Sequence, residues 1–126
     1  MSGRNKENRT KASDSVFFWE TARRFLNHEL PKIRKKSRNT VASYRASLNI
    51  CIGFLEDVKG VPREHVCFDD LDKENLKDYL VWMGDVKGWS PKTCNLRMTA
   101  VRSLLSYASE GCMDITPIFV SSRAIR

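Results

Sequence analysis

Ser90-Pro91-Lys92-Thr93-Cys94-Asn95-Leu96-Arg97-Met98, with the run that continues to Gly111, is the stretch whose reading decides the fold. Ser90 is a good N-cap. Pro91 at the first helical position has its φ pre-set and lacks only an N–H that would be unpaired there anyway. At about 100° per residue, Cys94, Met98, Val101, Leu105 and Ala108 share one stripe, while Lys92, Asn95, Thr99, Arg102, Ser103 and Ser106 lie opposite. The spacing predicts a helix over 90–111 with one buried face and one face rich in donors and free of carboxylates. Most solvated faces mix both charge signs, so a donor-only face suggests an acceptor-rich partner.

Outward from this helix, the 126 residues suit one domain with a single modest core. The hydrophobic fraction of 41% and charged fraction of 29% are those of an ordinary soluble globular protein. No apolar run is long enough for a membrane span, and the polar N-terminus does not read as a signal peptide. Cys51, Cys67, Cys94 and Cys112 form no CxxC pair. Cys51 and Cys94 fall on apolar stripes, so free thiols in a reducing cytoplasm are expected, and no metal or cofactor. The net charge of +7 is segregated. Residues 1–40 hold 11 Lys/Arg against 4 Asp/Glu, residues 41–89 hold 6 against 9, and residues 90–126 hold 5 against 2. Basic ends around an acidic middle favour a basic face with a polyanionic partner.

In chain order, residues 1–13 are polar, lack an apolar period and read as disordered. Asp14 or Ser15 caps a first helix carrying Phe17, Phe18, Trp19, Ala22, Phe25 and Leu26. That is more apolar bulk than one stripe needs, so a broad core face or a docking surface is expected. This helix should stop by Leu30-Pro31, since the residue before proline is pushed out of the α region. Five cations in the seven residues 32–38 follow. Ser37 then caps a second helix with a stripe of Val41, Tyr44, Leu48, Cys51, Leu55 and Val58, and Gly60 closes it. The loop 61–71 should tuck Val66, Phe68 and Leu71 inward. Asp72 caps a third helix bearing Leu76, Tyr79, Leu80 and Met83, ended by Gly88. After Gly111 the chain reads as a turn or a short fifth helix. No segment alternates as a strand, and the class is all-α: a small orthogonal bundle of four main helices, with a domain over 14–112 and a connector over 113–126.

Helix N-termini carry roughly half a positive charge, so carboxylates favour them and cations do not. The third helix obeys, with Asp69, Asp70, Asp72 and Glu74 around its start, and so does the first, with Asp14 and Glu20. The second and fourth break the rule. Lys35, Lys36 and Arg38 surround one start and Lys92 stands in the other; both open on Ser-x-x-Thr (Ser37/Thr40 and Ser90/Thr93). Unpaired N–H groups, hydroxyls and cations together suit phosphate, and these two starts read as a pair presented to one phosphate backbone. Solvated lysines beside ordinary caps would look the same in sequence. No Walker-type loop, GxGxxG, HExxH or EF-hand occurs, His28 and His65 are isolated, and no nucleophile–base pair stands out. The fragment is not expected to be a catalyst.

Ser90-Pro91-x-Thr93-x-Asn95-x-x-Met98-x-Ala100-Val101-Arg102-Ser103-Leu104-Leu105-x-Tyr107 resembles the last helix of the core-binding (SAM-like) domain of tyrosine recombinases, the phage-integrase-type site-specific recombinases. Ser37-x-x-Thr40-x-x-x-Tyr44 with Leu48 and Phe54-Leu55 resembles that domain's second helix. Leu71-Asp72-x-x-x-Leu76-x-x-Tyr79-Leu80 resembles its third, and Phe17 to Leu26 its first. The family commonly carries a basic residue directly after the asparagine; here Leu96 stands there and the cation follows at Arg97. The resemblance implies a DNA-binding domain, without cofactor or small-molecule substrate, of a cytoplasmic, nucleoid-associated recombinase that self-associates on DNA. It implies a catalytic domain downstream, with the HxxR-type motif and tyrosine nucleophile. It also implies that the second and fourth helices face the duplex. Lys35, Lys36, Ser37, Arg38, Thr40, Lys92 and Thr93 would then meet phosphates, and Arg45, Asn95, Arg97, Thr99 and Arg102 would reach across or into a groove. Two other readings stay open: a helical protein-interaction module docking through its aromatic first helix, and a small helix-turn-helix regulator.

Overall fold

A computed structural model describes residues 11–125. The expectation of disorder for residues 1–10 lies outside the described residues. The described residues form five α-helices: α1 (Ser15–Arg24), α2 (Arg38–Asp57), α3 (Lys73–Asp85), α4 (Pro91–Gly111) and α5 (Thr116–Arg123). Among the described residues there is no strand, and no helix is long and apolar enough to cross a membrane. Each start expected from local chemistry is found. Asp14, Ser37, Asp72 and Ser90 cap α1 to α4, their side chains accepting from the N–H of Val16, Thr40, Asn75 and Thr93. Glu20 lies beyond the first turn of α1, so Asp14 alone supplies the carboxylate there.

α4 lies in the middle, packed against α2, α3 and α5, and the segment Phe25–Ile33 that follows α1 packs on α2. The fully buried residues include Phe25, Phe54, Phe68, Leu76, Tyr79, Met83, Met98, Val101, Leu104 and Leu105. Each such Phe, Leu or Met contributes about 1.5–3 kcal/mol relative to exposure. The aromatic surplus of α1 is used internally. Phe17 and Phe18 stand edge-on to Phe68 at 5.7 and 4.9 Å between centroids, and Arg63 lies over the Trp19 ring at 5.5 Å. The loop after α2 therefore completes the core on that side, with Val66, Phe68 and Leu71 buried.

Two segments differ from the sequence expectation. Residues 11–13 form a 3-10 turn with Ala12 buried, a lone small apolar residue that no period could reveal. The first helix does not stop at Leu30-Pro31. It widens into a π-helical segment over Phe25–Ile33 that contains Pro31. In an α-helix the proline ring would press on the carbonyl four residues back. The wider turn moves the bonding one residue on, so that the Arg34 N–H donates to the Glu29 carbonyl at 2.9 Å.

Three helix ends close in the same way. The N–H of Lys36, Val61 and Trp89 donates to the carbonyl of Leu30, Leu55 and Met83, six residues back. The residue before each donor has positive φ: Gly60 (72°), Gly88 (69°) and Lys35 (56°). Glycine takes this conformation without strain, whereas a lysine has its Cβ close to the carbonyl oxygen. Lys35→Gly should therefore raise stability by roughly 0.5–1 kcal/mol, read as a higher urea midpoint at unchanged slope.

Candidate nucleic-acid interface

The starts of α2 and α4 are near-copies in geometry. Ser37 has φ −68° and ψ 162°, Ser90 φ −66° and ψ 158°. Each hydroxyl accepts from the N–H three residues on at 3.2 Å, and each donates to that residue's hydroxyl, Thr40 at 3.1 Å and Thr93 at 3.2 Å. Neither first turn holds a carboxylate. The pattern continues: no Asp or Glu stands between Ser37 and Leu55, or between Ser90 and Ser109.

The two starts are not side by side. Tyr44 in the first half of α2 and Tyr107 near the end of α4 both lie against Phe25, at 6.1 and 5.5 Å. At the other end Phe54 of α2 meets Trp82 at 5.3 Å, and Trp82 meets Trp89, just before α4, at 6.3 Å. The helices thus run in opposite senses, joined midway where Arg97 donates to Ser47 at 3.1 Å. Ser37 is ten residues from Ser47 and Ser90 seven from Arg97. At about 1.5 Å rise per residue the caps stand roughly 20–25 Å apart. Burying both apolar stripes brings the middles of the helices together rather than their ends, so the two starts form a pair only at this separation.

The predicted residues separate into two groups. Lys35, Lys36, Ser37, Arg38, Arg45, Lys92, Asn95 and Thr99 are exposed, with Thr40 and Thr93 half-buried beside the caps. Lys36, Arg38 and Arg45 line a shallow cleft of about 310 Å³ with Leu26, Asn27, Pro31, Val41 and Ala42. Arg45 is steadied there by the Asn27 carbonyl oxygen at 3.2 Å. The Thr99 hydroxyl donates to the Asn95 carbonyl at 2.8 Å. Arg97 and Arg102 turn inward. Arg97 reaches Ser47 and lies over Trp89 at 5.6 Å. Arg102 donates to the Ser122 and Ile125 carbonyls at 3.0 and 2.7 Å, the last acceptors around the end of α5, and burial lowers its pKa. It ties the 113–125 segment, with Ile115 and Ser122 buried, to α4. Sequence reasoning missed these acceptors. Ser47 could have been found, since a serine on the buried stripe of Tyr44, Leu48 and Cys51 needs a hydrogen-bond partner.

The surplus positive charge is mostly unspent within the domain. Among the described residues the ion pairs are Arg34–Glu29 and Lys59–Asp78, and neither uses Lys35, Lys36, Arg38, Arg45 or Lys92. The phage integrase N-terminal SAM-like domain profile matches residues 22–111. The chain belongs to that family. It is also similar to "Putative integrase/recombinase y4rC" of Sinorhizobium fredii (strain NBRC 101917 / NGR234), 28% identical over 85 residues. That match covers 68% of this chain and 26% of the relative, so the chain spans about a quarter of the relative's length. No solved structure matches the chain at a significant level.

Ser37→Ala and Ser90→Ala should each lower stability by about 1 kcal/mol, and by similar amounts, because each removes the same cap geometry. Urea denaturation of the two variants checks this.

Proposed function

We propose that this domain binds duplex DNA as the non-catalytic, clamping part of a site-specific tyrosine recombinase, using the face formed by α2 and α4. The observation that carries this reading is the pairing of two packed helices whose exposed sides hold cations and hydroxyls, with no carboxylate until Glu56 and Asp57 at the end of α2 and Glu110 at the end of α4. Starts roughly 20–25 Å apart would meet separate stretches of backbone, for example on either side of a major groove about 12 Å wide. Lys35, Lys36, Arg38 and Arg45 would hold one stretch and Lys92 the other, helped by the N–H groups and hydroxyls of the caps. Asn95 and Thr99, exposed on α4, would face the groove between them. The inward-turned Arg97 and Arg102 are left out of the contact set. The whole recombinase would supply strand cleavage from its catalytic domain and would self-associate on DNA.

The protein-interaction reading loses its main support, since Phe17, Phe18 and Phe25 of the first helix are packed within the domain.

Five cations neutralising five phosphates give an expected slope of log K against log salt of about −4 to −5. Fluorescence anisotropy on a duplex across a salt series reads it. Arg45→Glu and Lys92→Glu should each abolish retardation of duplex DNA while leaving the fold intact. An affinity that stays flat from low to moderate salt would overturn the proposal.

A further inference from the structure

Arg97 sits where three elements meet. One guanidinium nitrogen donates to Ser47 on α2, a serine that is 1% exposed, and the guanidinium plane lies over Trp89 in the turn before α4. Its Nε is out of solvent, and its charge acts on the buried Tyr79 phenol of α3, whose pKa is raised chiefly by burial. No carboxylate pairs with it among the described residues. Arg97 is half-buried, and keeping part of a guanidinium from water without a counter-ion carries a cost that an apolar side chain of similar volume would avoid. What a guanidinium adds is direction: a rigid plane with its donors in a fixed fork, here stacked on Trp89 and aimed at Ser47. Sliding α2 along α4 by a turn would lose the Ser47 contact, while the stack on Trp89, just before α4, keeps the guanidinium aimed where it is; apolar side chains could repack.

We propose that Arg97 is a positioning residue for DNA binding: through Ser47 and Trp89 it fixes α2 against α4, and so the spacing between the cations around Ser37 and Lys92, without touching phosphate itself. This rests on the DNA-binding reading above, and it separates Arg97 from the cations that surround the two caps.

The test uses the 126-residue chain with Ser47→Ala, Arg97→Met and the double variant. Affinity for duplex DNA is measured across a salt series, well below each variant's melting transition. Each single change should weaken binding about three- to tenfold, since a looser helix spacing passes on to binding only part of what the lost hydrogen bond contributes to the fold. The double variant should be no weaker than the weaker single, because both changes remove one shared contact. The salt slope should stay that of the wild type, since the number of neutralised phosphates is unchanged. A slope shallower by about one in Arg97→Met would mean that Arg97 meets a phosphate, which overturns the proposal and leaves the DNA reading standing. Wild-type affinity in both singles, or additive losses in the double, would also overturn it. If Arg97→Met does not fold, Ser47→Ala decides alone, because it removes one hydroxyl and no charge: weaker binding at unchanged slope supports the proposal and unchanged affinity overturns it. A wild type without salt-dependent binding would remove the DNA reading, and this proposal with it.

Discussion

The packing of α2 on α4 is the contact on which the rest of the domain depends. Leu48, Cys51 and Leu55 from one helix and Cys94, Met98, Val101 and Leu105 from the other are all buried, and neither stripe could be covered by its own helix. The flanking elements close the ends of this pair. Phe25 wedges between Tyr44 and Tyr107 at one end, while Trp82 bridges Phe54 and Trp89 at the other. Because the apolar sides are committed inward, the polar sides of both helices are held at a set distance and direction. A binding surface built on two such helices is pre-organised, which lowers the ordering cost of association.

That surface departs from ordinary helix electrostatics. A cation within the first turn is unfavourable by a few tenths of a kcal/mol to about 1 kcal/mol, and α2 and α4 accept this without a compensating carboxylate. Their serine caps return about 1 kcal/mol each, so the helices form despite the charge. α1 and α3 are capped by Asp14 and Asp72 instead. The contrast lies within one small domain under one solvent condition, so general basicity does not account for it. On the proposed reading the missing anion is the phosphate backbone.

Much of the fold was legible because its signals are local. A serine before proline, an aspartate before an amphipathic run and a glycine after it act over four or five residues, and Ser37, Gly60, Asp72, Gly88 and Ser90 all stand at the boundaries expected of them. The π-helical turn around Pro31 was not legible, since a proline forbids the narrow helix without saying whether the chain stops or widens. At the interface the limit was different. Helical period places a Cβ, and for Asn95 or Thr99 that nearly settles where the functional group goes. For Arg97 and Arg102 it does not, because the long side chain can turn towards solvent or inward. The choice was set by Ser47, fifty residues away, and by the Ser122 and Ile125 carbonyls of a helix whose position no local pattern encodes.

Lys35 brings these strands together. Of three helix ends with the same closing hydrogen bond, two use glycine at the left-handed position and one uses a lysine. The glycine ends precede the half-buried Val61 and Trp89, where the chain turns back onto the core. The lysine end opens directly into Lys36, Ser37 and Arg38 at the start of α2. Backbone preference alone would favour glycine at all three by a similar margin. Lys35 is exposed, and among the described residues no ion pair of its side chain offsets its strain. On the proposed reading, strain retained at this exposed position goes with what the side chain does outside the fold. On that reading, a charged group beside two other cations and a helix start without a carboxylate is there to meet an anion.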